Sequence, residues 1–333
     1  MGITLLDFVS SFHLPKKSHR LVRRAAVVAT ILVVSWAPGC RRSPSGFAGE
    51  AALAHREIEE LTLIPPDARI IISLDLEHLR GQPAWTNWVS ALGKDPTHWL
   101  GGLTIAAGLD QTQHLRRVVI ALPGERRTDN RFAVIAEADR LDEARVTTWL
   151  RKQTGQTTAT FTRDYHRVVI GMGAWTQAVA GLATSPTLAP SASDNPELRR
   201  LCERAADSHG FWFAAVVPIS IRRELIRQDH FPDAASIMRV SGFADVDAGL
   251  HAEIAAELSN TQDAVHLSHR LTVFLNQAKR HPKMLVLGLA PYLEAVRLDS
   301  RDARVKASVD LPADQLGEVV ERIEALAHGA WTK

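Results

Sequence analysis

The alternation of apolar and polar positions divides the chain into two runs of elements in the same order. In the first run, Arg69–Leu76 opens an apolar strand after Pro65-Pro66-Asp67, and a short helix is predicted over Ala84–Leu92. Val118–Leu122 and Arg131–Ala138 read as strands joined by the turn Pro123–Asn130. Val146, Trp149 and Leu150 set helical spacing within Asp142–Lys152. Thr157–Thr162 and Arg167–Ile170 then form a hairpin, and Trp175, Ala178, Val179 and Leu182 mark a helix. The second run begins with the strand Phe211–Val217 and the helix Ile219–Arg227. Strands Val240–Asp245 and His251–Leu258 follow. The next helix, Gln262–Arg280, carries Leu267, Leu271, Phe274, Leu275 and Ala278 on its predicted core face. Leu293–Leu298 and Arg304–Val309 are strands, and Leu316, Val319, Val320, Ile323 and Leu326 belong to a closing helix. The order predicts an α+β fold of two similar halves, with antiparallel strands and helices packed on one sheet face. The boundaries are residues 64–183 and 197–333, separated by a Ser/Pro/Ala-rich linker or long loop at 184–196.

One apolar run stands apart from this pattern. Lys16, Lys17, Arg20, Arg23 and Arg24 precede Ala25–Val34, and Ser35-Trp36-Ala37-Pro38-Gly39-Cys40 follows. A basic stretch, a short apolar core and a small-residue exit make an export signal. The run is shorter than the ~20 residues of a membrane-spanning helix. The segment resembles the signal of bacterial lipoproteins. That resemblance implies a diacylglyceryl group on the Cys40 sulfur, removal of residues 1–39 and acylation of the new N-terminus. Ala37 and Pro38 depart from the usual Leu and small residue at those places. Cleavage after Ala37, an uncleaved anchor and a chance apolar stretch in a cytosolic protein are the competing readings. Residues 40–63 read as a tether and a short helix. The localisation expected is the outer membrane, facing the periplasm, in a host with two membranes.

The body carries a second resemblance. Ile64-Pro65-Pro66-Asp67-Ala68 precedes an apolar strand with Asp75, and Gly108-Leu109-Asp110 precedes Val118–Leu122. These elements are similar to those of a family of exported bacterial proteins of unknown function. The resemblance implies the fold and brings no reaction with it.

Charge narrows the candidate functions. The full chain holds 39 Lys/Arg and 37 Asp/Glu, yet residues 1–39 contain five Lys/Arg and only Asp7. The body from Cys40 onward is therefore slightly acidic, which argues against nucleic acid as a partner. Cys40 and Cys202 are the two cysteines. A lipidated Cys40 leaves Cys202 without an intrachain disulfide, and Cys202 is read as a buried thiol on the face of Leu198, Leu201 and Ala205.

No motif names a reaction. Gly171-Met172-Gly173 lacks the rest of a phosphate loop and is read as a strand end against which a helix packs closely. No Gly-x-Ser-x-Gly elbow is present. His266 and His269 share a helix face but have no zinc-motif partners, and Asp245 and Asp247 lack the remainder of a calcium loop. No catalytic residue, metal or cofactor is predicted. Arg116-Arg117 and Arg126-Arg127 are read as solvated basic pairs, with lipid headgroups as the alternative partner. Trp85, Trp88 and Trp99 form the candidate partner or ligand surface. The function expected is a non-catalytic, lipid-anchored binding or envelope-assembly module, held to the membrane and meeting an envelope protein. An exported hydrolase with a dispersed site and a hydrophobic-ligand carrier are the alternatives.

Overall fold

The computed structural model describes residues 59–80, 115–124, 131–139, 141–154, 160–161, 166–185, 189–206, 209–223, 235–246, 249–286, 288–316 and 318–319. The protein is α+β. Its body divides into two compact units, one continuing through Ile221 and the other beginning at Arg222.

The first unit contains β1 (Ala68–Asp75), α1 (Leu76–Leu79), β2 (Leu115–Pro123), β3 (Phe132–Ala138), α2 (Glu143–Thr154), β4 (Thr160–Phe161), β5 (Arg167–Met172), α3 (Trp175–Thr184), α4 (Pro196–Ala205) and β6 (Phe211–Val216). The strand order is β4-β5-β3-β2-β1-β6, and every pair is antiparallel. The second unit contains β7 (Ile237–Val246), β8 (Gly249–Leu258), α5 (Thr261–Lys279), α6 (Pro282–Val286), α7 (Ala290–Glu294), β9 (Val296–Arg301) and β10 (Arg304–Pro312). Its order, β7-β8-β10-β9, repeats that of β2-β3-β5-β4 in the first unit.

The likeness of the halves extends to local detail. Pairing of β2 with β3 shifts register between Leu115 and Arg117, and pairing of β7 with β8 shifts between Ile237 and Arg239. Each shift falls at the same place, just before the third residue of the strand. A β-bulge there re-aims the side chains that follow it. Beyond each shift an Arg lies opposite a Glu, as Arg117 opposite Glu137 and Arg239 opposite Glu257. That Glu in turn faces a second Arg, Arg167 in one unit and Arg304 in the other. The next backbone N–H also repeats. Ala138 donates to the His166 carbonyl at 2.9 Å, and Leu258 to the Ala303 carbonyl at 2.7 Å.

The centre of the first unit is apolar on both sides of the sheet. Val118 and Val119, Val134 and Ile135, and Val168 and Val169 are all buried. Continuous β-branched runs suit strands covered on both faces. The helix α4 begins with Pro196, and Asn195 accepts from the backbone N–H groups of Glu197 and Leu198, both at 3.1 Å. Its predicted face, Leu198, Leu201, Cys202 and Ala205, is buried. Within 184–196, Ala192–Asp194 forms a single 3-10 turn closed by Ser191 and Asp194, and Ala192 donates to the Ile64 carbonyl at 2.8 Å. Gly171 lies under the start of α3, where an added Cβ would meet the Trp175 carbonyl oxygen at 2.5 Å.

Three expectations are corrected. Arg117 is not solvated: alternation along β2 turns it inward, opposite Asp75 and Glu137, while Arg116 points out to Asp139. Leu293 belongs to α7 rather than to a strand, since Pro291 in the first turn favours a helix start, and β9 begins at Val296. Phe274 is 41% exposed although it falls on the predicted core face of α5. The buried residues of that helix are Ala264 and Leu267, and the cluster they join reaches only as far as Leu271.

Candidate interaction surface

The long helix α5 is held firmly at its start. Asn260 caps it by accepting from the Asp263 backbone N–H at 2.9 Å. The Asp263 carboxylate accepts from Asn260 Nδ2 at 2.7 Å and from Ser259 Oγ at 3.0 Å. Such caps satisfy backbone N–H groups that have no partner inside the helix. One turn later Ala264 and Leu267 lock into Leu258 of β8 and Val305 of β10, flanked by Ile237, Ala256 and Leu271.

Its far end leads directly into α6. His281 donates to the Ala278 carbonyl at 3.0 Å, and Pro282 opens the next helix. Gly288 at φ 63 then reverses the chain, with Leu289 donating to the Met284 carbonyl at 2.8 Å. Glycine takes this left-handed conformation without the steric cost a Cβ imposes.

Val265 at 54% and Val273 at 41% are exposed on one side of α5, Phe274 at 41% is exposed on the side of Leu267, and Leu285 at 58% and Val286 at 86% are exposed on α6. Among the described residues, these and Ile219 are the exposed large hydrophobic side chains. At 100° per residue, Val265, His269 and Val273 fall on one stripe of α5, continued by the C-cap residue Arg280, with His266 and Arg270 beside it. All four of these basic residues are exposed. The sequence from Ala264 to Leu293 contains no Asp or Glu.

The face of the second unit's sheet that carries Arg239, Glu257 and Arg304 is largely polar, with Phe243 and Ala255 among its charged residues. Arg239 meets Glu257 at 3.1 Å, and Lys306 pairs with Glu253. His251 Nδ1 lies 2.6 Å from Asp310 Oδ1, with the Phe243 ring centroid 5.4 Å from that of His251. These charges are matched within the sheet itself.

The corresponding ladder of the first unit is buried at its centre, at Arg117 and Glu137, and half-buried at Asp75 and Arg167. Asp75, Arg117, Glu137 and Arg167 succeed one another across β1, β2, β3 and β5. Arg117 Nη2 donates to Asp75 Oδ2 at 2.7 Å, and its Nη1 lies 3.8 Å from Glu60 Oε2. Alternating signs directly across strands are favourable. Asp75 does double duty, since its Oδ1 accepts from the His78 backbone N–H and caps α1.

The residues singled out from the sequence are placed as follows. Trp85, Trp88, Trp99 and Cys40 lie outside the described residues, as do Arg126, Arg127 and Asp247. His266 and His269 are exposed on α5, and among the described residues no three metal-ligating side chains group together. Cys202 is buried. No helix among the described residues is long and apolar enough to cross a membrane. Sequence reasoning missed the exposed apolar side chains from Val265 to Val286. The signal that marks them is the long run free of carboxylates, in which valines and leucines stand between histidines and arginines.

No protein-family model matches the chain, and no curated protein matches it. It is similar to two solved structures of TP0453. The crystal form I structure shares 9% identity and a TM-score of 0.42, covering 80% of this chain and 97% of that one. The crystal form III structure shares 9% identity and a TM-score of 0.45, covering 79% of this chain and 97% of that one.

Proposed function

We propose that the protein is a lipid-anchored module of a bacterial cell envelope that binds a partner rather than catalysing a reaction. The observation that carries this reading is the position of Cys40, at the end of a basic stretch and a short apolar core. Two or more acyl chains on Cys40 hold a protein firmly, whereas one holds it marginally. Arg41 and Arg42 follow at once and lie at the headgroups, each contributing about 1 kcal/mol against anionic lipid. In this reading residues 1–39 are removed and the body faces the periplasm from the outer membrane. The structured body supports a binding role by pairing polar groups within the sheets while leaving apolar and basic side chains of α5 and α6 in solvent.

Expression of the full chain in a bacterial host, with fractionation and intact mass measurement, tests this. The expected product begins at Cys40, carries the added mass of acyl chains and sediments with the envelope. Cys40→Ala abolishes both the added mass and the cleavage before residue 40. An unchanged mass and unchanged membrane attachment in Cys40→Ala overturn the reading.

A further inference from the structure

We propose that β9 pairs antiparallel with β9 of a second copy of the chain, across a two-fold axis at Leu298, so that the sheets of two second units join into one. The proposal goes beyond the envelope reading and does not depend on whether Cys40 is acylated.

Three observations carry it. The first is the state of the edge. β9 ends the strand order of the second unit and is hydrogen-bonded to β10 alone. Strand edges are commonly blunted by shortening, by Pro, by Lys or by a bulge. The strand that ends the first unit's order, β4, is cut to two residues. β9 runs for six residues, Val-Arg-Leu-Asp-Ser-Arg, and its register against β10 holds without a shift from Val296 to Arg301.

The second observation is the direction of the backbone groups. Arg301 and Arg304 close a loop of Asp302 and Ala303 and therefore form a hydrogen-bonded pair. The Ala303 carbonyl accepts from Leu258 of β8, in keeping with this alternation along β10. In the same phase Arg297 and Asp299 direct their backbone groups to β10. Val296, Leu298 and Ser300 turn theirs to the open side.

The third observation is charge. Arg297, Asp299 and Arg301 are exposed and, among the described residues, enter no ion pair, whereas Arg239, Glu257, Arg304, Lys306 and Glu253 on the inner strands all do. Lys306 lies directly opposite Asp299 but pairs with Glu253 on its other side.

The spacing of these residues selects a second copy as the occupant. With Leu298 opposite the second copy's Leu298, Val296 meets Ser300 through the open backbone groups. Arg297 then faces Asp299 on both sides of the axis, as a close pair between those bonds. Moving the axis to Asp299 or to Arg297 sets like charges face to face. Moving it to Ser300 runs Leu298 into the turn at Asp302. One register therefore satisfies both the charges and the length of the strand. A two-fold interface requires such self-complementarity, and pairing with an unrelated strand does not.

The test uses full-length chains carrying two different C-terminal tags, expressed together in a bacterial host, extracted in mild detergent and captured through one tag. Detergent removes association through acyl chains or through the apolar run Ala25–Val34. Wild-type copies are expected to capture each other. Arg297→Asp with itself, and Asp299→Arg with itself, face like charges and lose capture at least tenfold. Arg297→Asp mixed with Asp299→Arg restores opposite charges at both pairs and returns capture to within about twofold of wild type, as does the double reversal on one chain. A second measurement does not rely on the reversals. A chain with Arg297→Cys and a chain with Asp299→Cys form a disulfide between them under mild oxidation, and neither forms it with its own kind. Absence of wild-type capture overturns the proposal. Single reversals that capture as well as wild type overturn it in favour of contact elsewhere on the chain. Failure of the mixed reversals to restore capture, together with equal disulfide formation in all three cysteine mixtures, overturns the register.

Discussion

Replacing Arg117 by Ala removes the cation that stands between Asp75 and Glu60 in the first unit. The Arg117 side chain is 5% exposed, with Asp75 at 17% and Glu60 at 2%. At separations of 2.7 and 3.8 Å, an effective dielectric constant of about 20 gives roughly 4–6 kcal/mol of gross attraction per pair. Desolvation offsets much of this while the ladder is intact. The loss is therefore set by what remains, buried carboxylates deprived of a cation, and costs about 3–5 kcal/mol. The second unit supplies the control. Arg239 occupies the equivalent position opposite Glu257 at 3.1 Å, but those side chains are 36% and 24% exposed. Water and salt screen that pair, so Arg239→Ala costs only about 0–1 kcal/mol. Thermal unfolding followed by calorimetry, with hydrogen exchange to locate the opening, measures both. For units of this size about 1 kcal/mol moves the midpoint by roughly 2–4 °C, so Arg117→Ala lowers the first unit's transition by roughly 6–20 °C. Arg239→Ala leaves the second unit within a few degrees of its starting value. Equal shifts for the two substitutions would refute the claim that burial, rather than the ladder itself, sets the energy.

Two further outcomes follow from backbone geometry. Gly249 has φ 149, and an added Cβ would lie 2.2 Å from the Leu311 carbonyl oxygen. Gly249→Ala therefore destabilises the second unit by at least about 1–3 kcal/mol in urea unfolding, and no loss would refute the crowding at β8 and β10. Asn260→Ala deprives α5 of its cap and costs about 0.5–2 kcal/mol, whereas Asn260→Asp or Asn260→Ser retains most of it; the same unfolding measurement compares the three.

The apolar alternation located the strands because their burial is set locally. Val118–Leu122 sits inside β2, Arg131–Ala138 overlaps β3 to within one residue, and Gln262–Arg280 matches α5 to one residue at each end. The repeat of element order was legible for the same reason. The inward turn of Arg117 was not, because its counter-charge Asp75 is 42 positions away and meets it only through the register of β1 against β2. Adjacent arginines on a strand point to opposite faces, so one of the pair was bound to enter the sheet. The exposure of Phe274 was hidden by helical spacing, which assigns a side but not how far along the helix the sheet extends. Leu293 reads as strand in the sequence because a short apolar run looks alike in either state.

The pairing of β1 has a consequence for how the chain comes together in time. β1 is hydrogen-bonded on one side to β2 and on the other to β6, from Ile70 opposite Ala215 to Leu74 opposite Phe211. A chain that emerges with its N-terminus first makes β1 through β5 before β6 exists outside the ribosome or the export channel. During that interval β1 presents the bare hydrogen-bonding edge of an Ile-Ile-Ile sequence, a template for pairing with another chain. The first half can therefore seal its own sheet only after it has received a strand encoded in the second, so truncation before residue 211 yields an aggregating fragment rather than a smaller folded protein.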